Sequence, residues 1–514
     1  MAATSRQTDS SAEDDTAFLL HSYQRLRQIA SERTADPTTL PDPASLAHAI
    51  AALPYADHSD FLAPRGAPAV LEHILTALAP GLNNQSLSGR YYGFVTGGVL
   101  PVAEAADNVV TALDQNVQVN LPGHSAAHAI EDAALAMLIA LLDLGPATDW
   151  PSRTFTTGAT GSNTVGLACG REAVIARRCE GVSVAEMGLL AACQAAGTRE
   201  IQVLTSMGHS SLSKAASIVG LGHHAVKELR VSEEEPWRLD LNAVEKELAR
   251  EGVASIIVIS AGEVNTGRFA TNALDMPKLR SLADRYGAWI HVDGAFGIFA
   301  RVLPKTDEYL NLHAHVAGLE LADSITVDAH KILNVPYDAG IFLCRDASIP
   351  SRVFQNPNAV YLATPSGPSG TTIQSALNIG LENSRRFRAL PVYAVLLSEG
   401  RAGISSMAAR MVTLARGIAS FLASSPHYDL LPSPFNPNLE STFMIVLFRA
   451  KDPVLNTTLV PKINSTRKLF ASGTTWNGTP ACRLAISNWR VDPAADLPVV
   501  TEVLTTIATP HSQQ

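Results

Sequence analysis

From about residue 153 the chain alternates short apolar runs with longer stretches whose apolar residues recur every three or four positions. Ser255–Ser260 reads Ser-Ile-Ile-Val-Ile-Ser, apolar on both faces of a strand. Strand-like runs, not all of them as apolar, also occur at Arg153–Thr157, Ile201–Thr205, Val226–Val231, Ala288–Asp293, Ser324–Val327 and Gly340–Cys344. Helical spacing fills the gaps: an Ala-rich stretch at Thr164–Arg178, then Ser210–Val219, Leu241–Arg250 and Met276–Tyr286. Wholly apolar strands separated by helices predict an α/β fold with a mostly parallel central sheet and helices on both faces. In such sheets ligands sit beyond the carboxyl ends of the strands.

The flanks read differently. Residues 1–15 are polar and acidic and predict a disordered tail. Thr16–Leu78 carries helical stretches broken by prolines, an arm that calls for a surface to pack on. Ser88–Gly98 is aromatic and glycine-dense, a loop and not a regular strand. Helical spacing returns at Ala103–Leu113 and Ala126–Leu142. The Pro-, Gly- and Ser-rich residues 356–370 predict a mobile loop, and a long helical stretch spans Val392–Ser424. Ser441–Phe448 and Arg483–Ser487 predict strands of a smaller C-terminal α+β domain. The division that follows is a tail and helical arm over 1–87, a large domain over 88–390 and a small domain over 391–514.

A net charge of -9 over 514 residues argues against nucleic acid or an anionic membrane as the main partner. The five cysteines are scattered and show no CxxC spacing, which points to reduced thiols and not to a disulfide framework or zinc site. With neither a signal-like N-terminus nor a membrane-length apolar run, the expected location is cytoplasmic.

Four places carry candidate chemistry. Ser324-Ile-Thr-Val-Asp-Ala-His-Lys331 runs from an apolar strand into Asp328, His330 and Lys331. A lysine in a desolvated site is a usable nucleophile toward an aldehyde, although a lone lysine there more often reaches solvent. Gly158-Ala-Thr-Gly-Ser-Asn163 lies between a strand and a helix, where free backbone N–H groups attract an anion, or where a plain turn suffices. In His291-Val-Asp-Gly-Ala295, a carboxylate ends a strand and small residues leave room for a flat ligand. His209 follows another strand and can stack on a ring or move a proton. His124/His128 and His313/His315 have metal-ligand spacing but no evident third ligand, so no metal is expected. Arg385, Arg386 and Arg388 read as structural ion pairing.

The order of these motifs, with Gly262-Glu-Val-Asn-Thr-Gly267 between them, resembles the fold-type I pyridoxal-phosphate enzymes, an aspartate aminotransferase-like fold. Within them it resembles the group II amino-acid decarboxylases, which include the aromatic amino-acid and glutamate decarboxylases. The resemblance covers about residues 85–500. It implies pyridoxal 5'-phosphate as cofactor, held by Lys331 as an internal aldimine. Asp293 would pair with the ring nitrogen, Ala295 would lie against one ring face and His209 would stack on the other. Ala159, Thr160 and Gly161 would bind the phosphate, with His330 in support, and Asn265 and Thr266 would lie near the phenolic oxygen. Tyr361 stands where family members carry a loop tyrosine that protonates the substrate carbon, which favours simple decarboxylation over aldehyde formation.

On the substrate side the resemblance points to Tyr92 and Thr96, and to Val117 and Val119 in a stretch that enters the active site of the neighbouring subunit of a homodimer. The implied reaction converts an L-amino acid or related amino acid to its amine and CO2. The alternatives are another reaction of the same cofactor (aldehyde synthesis, transamination, lyase chemistry or C–C bond formation) and a non-catalytic homologue. Glu263 stands where many members have threonine, and His124-Ser-Ala126 replaces their Ser-Pro-Ala. These departures bear on the substrate. Asp328 has no role assigned by the motif, and Arg483 is a candidate for a substrate carboxylate or for structure.

Overall fold

The computed structural model describes residues 12–35, 38–57, 61–356, 373–432 and 439–509. Its centre is a seven-stranded sheet of β1 (Ser152–Thr156), β2 (Glu200–Thr205), β3 (Val226–Glu228), β4 (Val253–Ser260), β5 (Trp289–Asp293), β6 (Ser324–Asp328) and β7 (Gly340–Cys344). Their spatial order is β1-β7-β6-β5-β4-β2-β3. The run from β3 to β6 is parallel, and β7 is antiparallel to both β6 and β1. Alternate residues of β4 pack into different cores: Ile257 and Ile259 on one face, Ile256 and Val258 on the other. That is why this strand has no polar alternation, and it confirms a sheet covered on both sides.

The small sheet is antiparallel, made of β8 (Tyr428–Leu431), β9 (Ile445–Ala450), β10 (Ser472–Trp476) and β11 (Thr479–Ala485), in the order β10-β11-β9-β8. Sequence pattern finds β9 and β11 and misses the two edges. β10 reads Ser-Gly-Thr-Thr-Trp and is half exposed, so no apolar run marks it. A helix over Ala389–Ser424 joins the two sheets and is broken at Gly400 (φ 57, ψ -172), whose backbone only glycine adopts readily.

At the other end of the chain, the first helix covers Ala12–Ala35 and so begins inside the expected disordered tail. Two further helices follow it, Pro43–Ala51 and Ala67–His73. Leu19, Leu20, Leu26, Leu46, Ile50 and Ile74 remain exposed on these helices and the turn that follows them. The arginine cluster pairs as expected: Arg385 with Glu131, Arg386 with Asp107 at 2.7 Å and Arg388 with Asp338 at 2.7 Å.

Candidate active site

The carboxyl ends of β1, β2, β4, β5 and β6 open into a cavity of about 910 Å³. That volume holds a cofactor-sized molecule together with a small substrate. The segment 94–96 and the small domain's Ser472, Gly473, Thr474 and Arg483 close its other side.

Lys331 lies on the first turn after β6, with Nζ 3.0 Å from Asp328 Oδ2. Asp328 is buried, and its Oδ1 has no hydrogen-bond partner among the described residues. It is the counter-ion of the lysine, a role the motif does not reveal. His330 Nε2 is 3.6 Å from the same carboxylate, and His330 Nδ1 accepts from the Ala339 N–H at 3.2 Å. Burial lowers the His330 pKa below the usual imidazole value. The Tyr337 ring lies 4.6 Å from it, and burial pushes that phenol up to about 12, so it stays protonated at neutral pH.

Asp293 ends β5. Its Oδ1 accepts from the Ala295 N–H at 3.2 Å and its Oδ2 from Asn163 Nδ2 at 2.8 Å. Behind it runs a chain that sequence reasoning missed. Trp289 Nε1 donates to Ser324 Oγ at 3.0 Å, which lies 2.7 Å from His291 Nδ1, and His291 Nε2 lies 3.0 Å from Asn163 Oδ1. Because the Asn163 amide donates to Asp293, its oxygen must accept, which places the His291 proton on Nε2. Every link then donates toward Asp293, the pattern that orients a carboxylate. Burial lowers the His291 pKa to about 4, so this ring is neutral at physiological pH, as the chain requires. Asn163 was visible in the sequence only as the end of a glycine-rich turn.

His209 caps the helix Ser210–Ile218, with Nδ1 accepting from the Ser211 N–H at 3.1 Å. That bond fixes the ring and leaves Nε2 as the proton-bearing nitrogen. Burial lowers its pKa. The stretch 158–163 corrects the sequence expectation. The helix starts at Ala159, five residues before Thr164, and no side chain caps its first turn. The N–H groups of Ala159, Thr160 and Gly161 therefore begin a helix at the cavity wall, with the positive end of its dipole toward the cavity.

Asn265 lines the cavity and its Oδ1 accepts from Thr474 Oγ1 at 2.8 Å, whereas Thr266 does not line it. Thr266 gives both its N–H and its hydroxyl to Glu263. Thr96 lines the cavity and Tyr92 does not. Tyr92 is buried with its hydroxyl unpartnered among the described residues, and Phe94, Val95 and Thr96 form this part of the wall. Phe94 holds φ at 58, and its carbonyl is pinned by Arg483 Nη1 at 2.8 Å. Val117 and Val119 do not line this cavity, and Val117 N–H donates to the Arg385 carbonyl at 3.1 Å. Tyr361 lies outside the described residues.

Arg483 is buried. Its Nε donates to the Val264 carbonyl, its Nη2 has no partner among the described residues, and burial lowers its pKa to about 10. An amine, a fixed carboxylate, a neutral imidazole and an uncapped helix start around one cavity match what pyridoxal phosphate presents: an aldehyde, a basic ring nitrogen, a flat face and a phosphate.

The family model described as pyridoxal-dependent decarboxylase conserved domain matches residues 109–451. Among curated relatives, the L-2,4-diaminobutyrate decarboxylase of Acinetobacter baumannii is 28% identical over 62% of this chain and 60% of its own length. The aromatic-L-amino-acid decarboxylase of Bacillus atrophaeus is 28% identical over 43% of this chain and 44% of its own. The matches thus span less than two thirds of either relative. Among solved structures, Oryza sativa TDC with PLP and tryptamine superposes with a TM-score of 0.77 at 19% identity, covering 98% of this chain and 99% of that one.

Proposed function

We infer that this chain, which belongs to the pyridoxal-dependent decarboxylase family, removes the carboxyl group of an L-amino acid or a related amino acid as CO2 and releases the amine. The observation that carries this reading is the meeting of Lys331, Asp293, His209 and the start of the Ala159 helix at one cavity. Bound there, pyridoxal phosphate supplies an aldehyde and a protonated ring that accepts the electron pair left when CO2 departs.

The chain's residues then have distinct tasks. Lys331 offers the amine, and Asp328 holds it in place. Asp293, fixed by Asn163 and the Ala295 N–H, keeps the proton on the ring nitrogen. His209 would cover one ring face and Ala295 the other, and the first turn at Ala159–Gly161 would receive the phosphate. Arg483 Nη2, buried and unpartnered among the described residues, is the donor we assign to the substrate's α-carboxylate. Tyr361 returns the proton to carbon.

Incubation with a panel of amino acids, following CO2, amine, aldehyde and ammonia together, tests the reaction. Equal amounts of CO2 and amine without aldehyde are expected, and formation of a 2-oxo acid would point to transamination instead. In the same assay Tyr361→Phe diverts product from amine to aldehyde; an unchanged amine yield removes Tyr361 from the mechanism.

We also propose a homodimer with shared sites. The exposed leucines and isoleucines on the described helices before residue 75 support it, because exposed apolar side chains on successive helices offer a surface for a protein contact. Val117 and Val119 would reach the partner's cavity. Sedimentation should give twice the chain mass of 54.5 kDa, and an active monomer would refute the arrangement.

A further inference from the structure

Charge is unevenly spent around the cavity. Among the described residues its wall carries two cations, Lys331 and Arg483, and three carboxylates, Asp293, Asp328 and Glu263. Burial lowers the pKa of both wall histidines, His209 and His330, and so favours their neutral forms. If the proposed function holds, Asp293 serves the cofactor's ring nitrogen, Arg483 takes the substrate's α-carboxylate, and Lys331, released once the substrate's amine takes its place on the cofactor, pairs with Asp328. No described cation then remains for a second substrate carboxylate.

Glu263 sharpens the point. Only 3% of it is exposed, and it borders the cavity beside Asn265 and Arg483. Its Oε1 accepts the N–H and the hydroxyl of Thr266, and its Oε2 accepts the Asn265 N–H at 2.8 Å. Burial raises the Glu263 pKa above the usual carboxylate value, while the three donors and the neighbouring guanidinium act against that rise and favour the charged form; a carboxylate has about four acceptor sites. One acceptor position on Glu263 is left over. A cationic or donor-bearing side chain can use it, whereas an anionic one meets a fixed like charge in a desolvated wall.

We propose that Glu263 sets the substrate class: it excludes amino acids with an anionic side chain, so that the substrate's side chain is neutral or cationic. This rests on the proposed function above, since it presumes that an amino acid occupies the cavity. The competing role for Glu263 is structural, as the counter-charge that keeps Arg483 in place. That role would affect every amino acid alike.

Holoenzyme is titrated with lysine, phenylalanine, glutamine and glutamate, and binding is read from the shift of the cofactor's visible band. Glutamate should bind at least about tenfold more weakly than the best of the other three. Glu263→Gln should shrink that gap by about tenfold, with Glu263→Thr as the second variant should the first fold poorly. Glutamate binding as tightly as the best of the others in the wild type overturns the proposal without any variant. Equal weakening of all four ligands in both variants also overturns it, in favour of the structural role. A band that responds to none of the four overturns the amino-acid reading itself. A band shift with the expected ranking but no CO2 leaves the inference standing and removes decarboxylation.

Discussion

Lys331→Ala lowers kcat by at least about 1000-fold, because no other amine among the described residues borders the cavity. The loss has two sources that can be separated. Alanine removes the nucleophile, and it also leaves Asp328 buried without a counter-ion, since the 3.0 Å contact to Nζ is its close ion pair. Breaking a buried pair from one side costs roughly 3–5 kcal/mol of stability. Lys331→Arg keeps a positive charge beside Asp328 but cannot capture an aldehyde. Arginine should therefore be as inactive as alanine while unfolding closer to the wild-type temperature. Measuring kcat and Tm on both variants checks this. An arginine variant with substantial activity would remove Lys331 from the chemistry.

The second large effect is expected at Asp293. Asparagine has the same shape but no charge, so Asp293→Asn removes the group that favours the protonated ring nitrogen. A fall of about 100-fold or more in kcat is expected, together with faster loss of cofactor on dialysis. Asn163→Ala should act in the same direction and more weakly. It cuts the 2.8 Å bond to Asp293 and leaves the His291 Nε2 proton without that acceptor, yet it retains the carboxylate. An Asp293→Asn enzyme with normal kcat and cofactor retention would show that the carboxylate serves only its own turn.

The residues we assign to the cofactor were legible because each sits at or a few residues after a strand end, where a polar residue following an apolar run stands out. Asp293, His209 and Lys331 are of this kind. Partners set by tertiary packing were not legible. Nothing in Asp328-Ala-His-Lys331 says that the aspartate turns back onto the lysine, and Asn163 and His291 lie 128 residues apart in sequence yet share a hydrogen bond. The start of the helix at Ala159 was missed because Gly161, Ser162 and Asn163 are poor helix formers, and packing overrides their propensity. Tyr92 was placed at the substrate by the motif. The glycine-rich turn brings Phe94 to the cavity wall instead, its carbonyl held by a residue 389 positions away. On the large sheet continuous apolar strands gave a clear signal. β8 and β10 are short edge strands, and at such edges the apolar signal fades.

The most direct test is borohydride reduction of the purified, yellow protein followed by peptide mapping. A Schiff base to Lys331 predicts that the visible absorption disappears and that one pyridoxyl phosphate group remains on the peptide containing Lys331. A colourless protein, or a stable label on a different lysine with Lys331 unmodified, would contradict it.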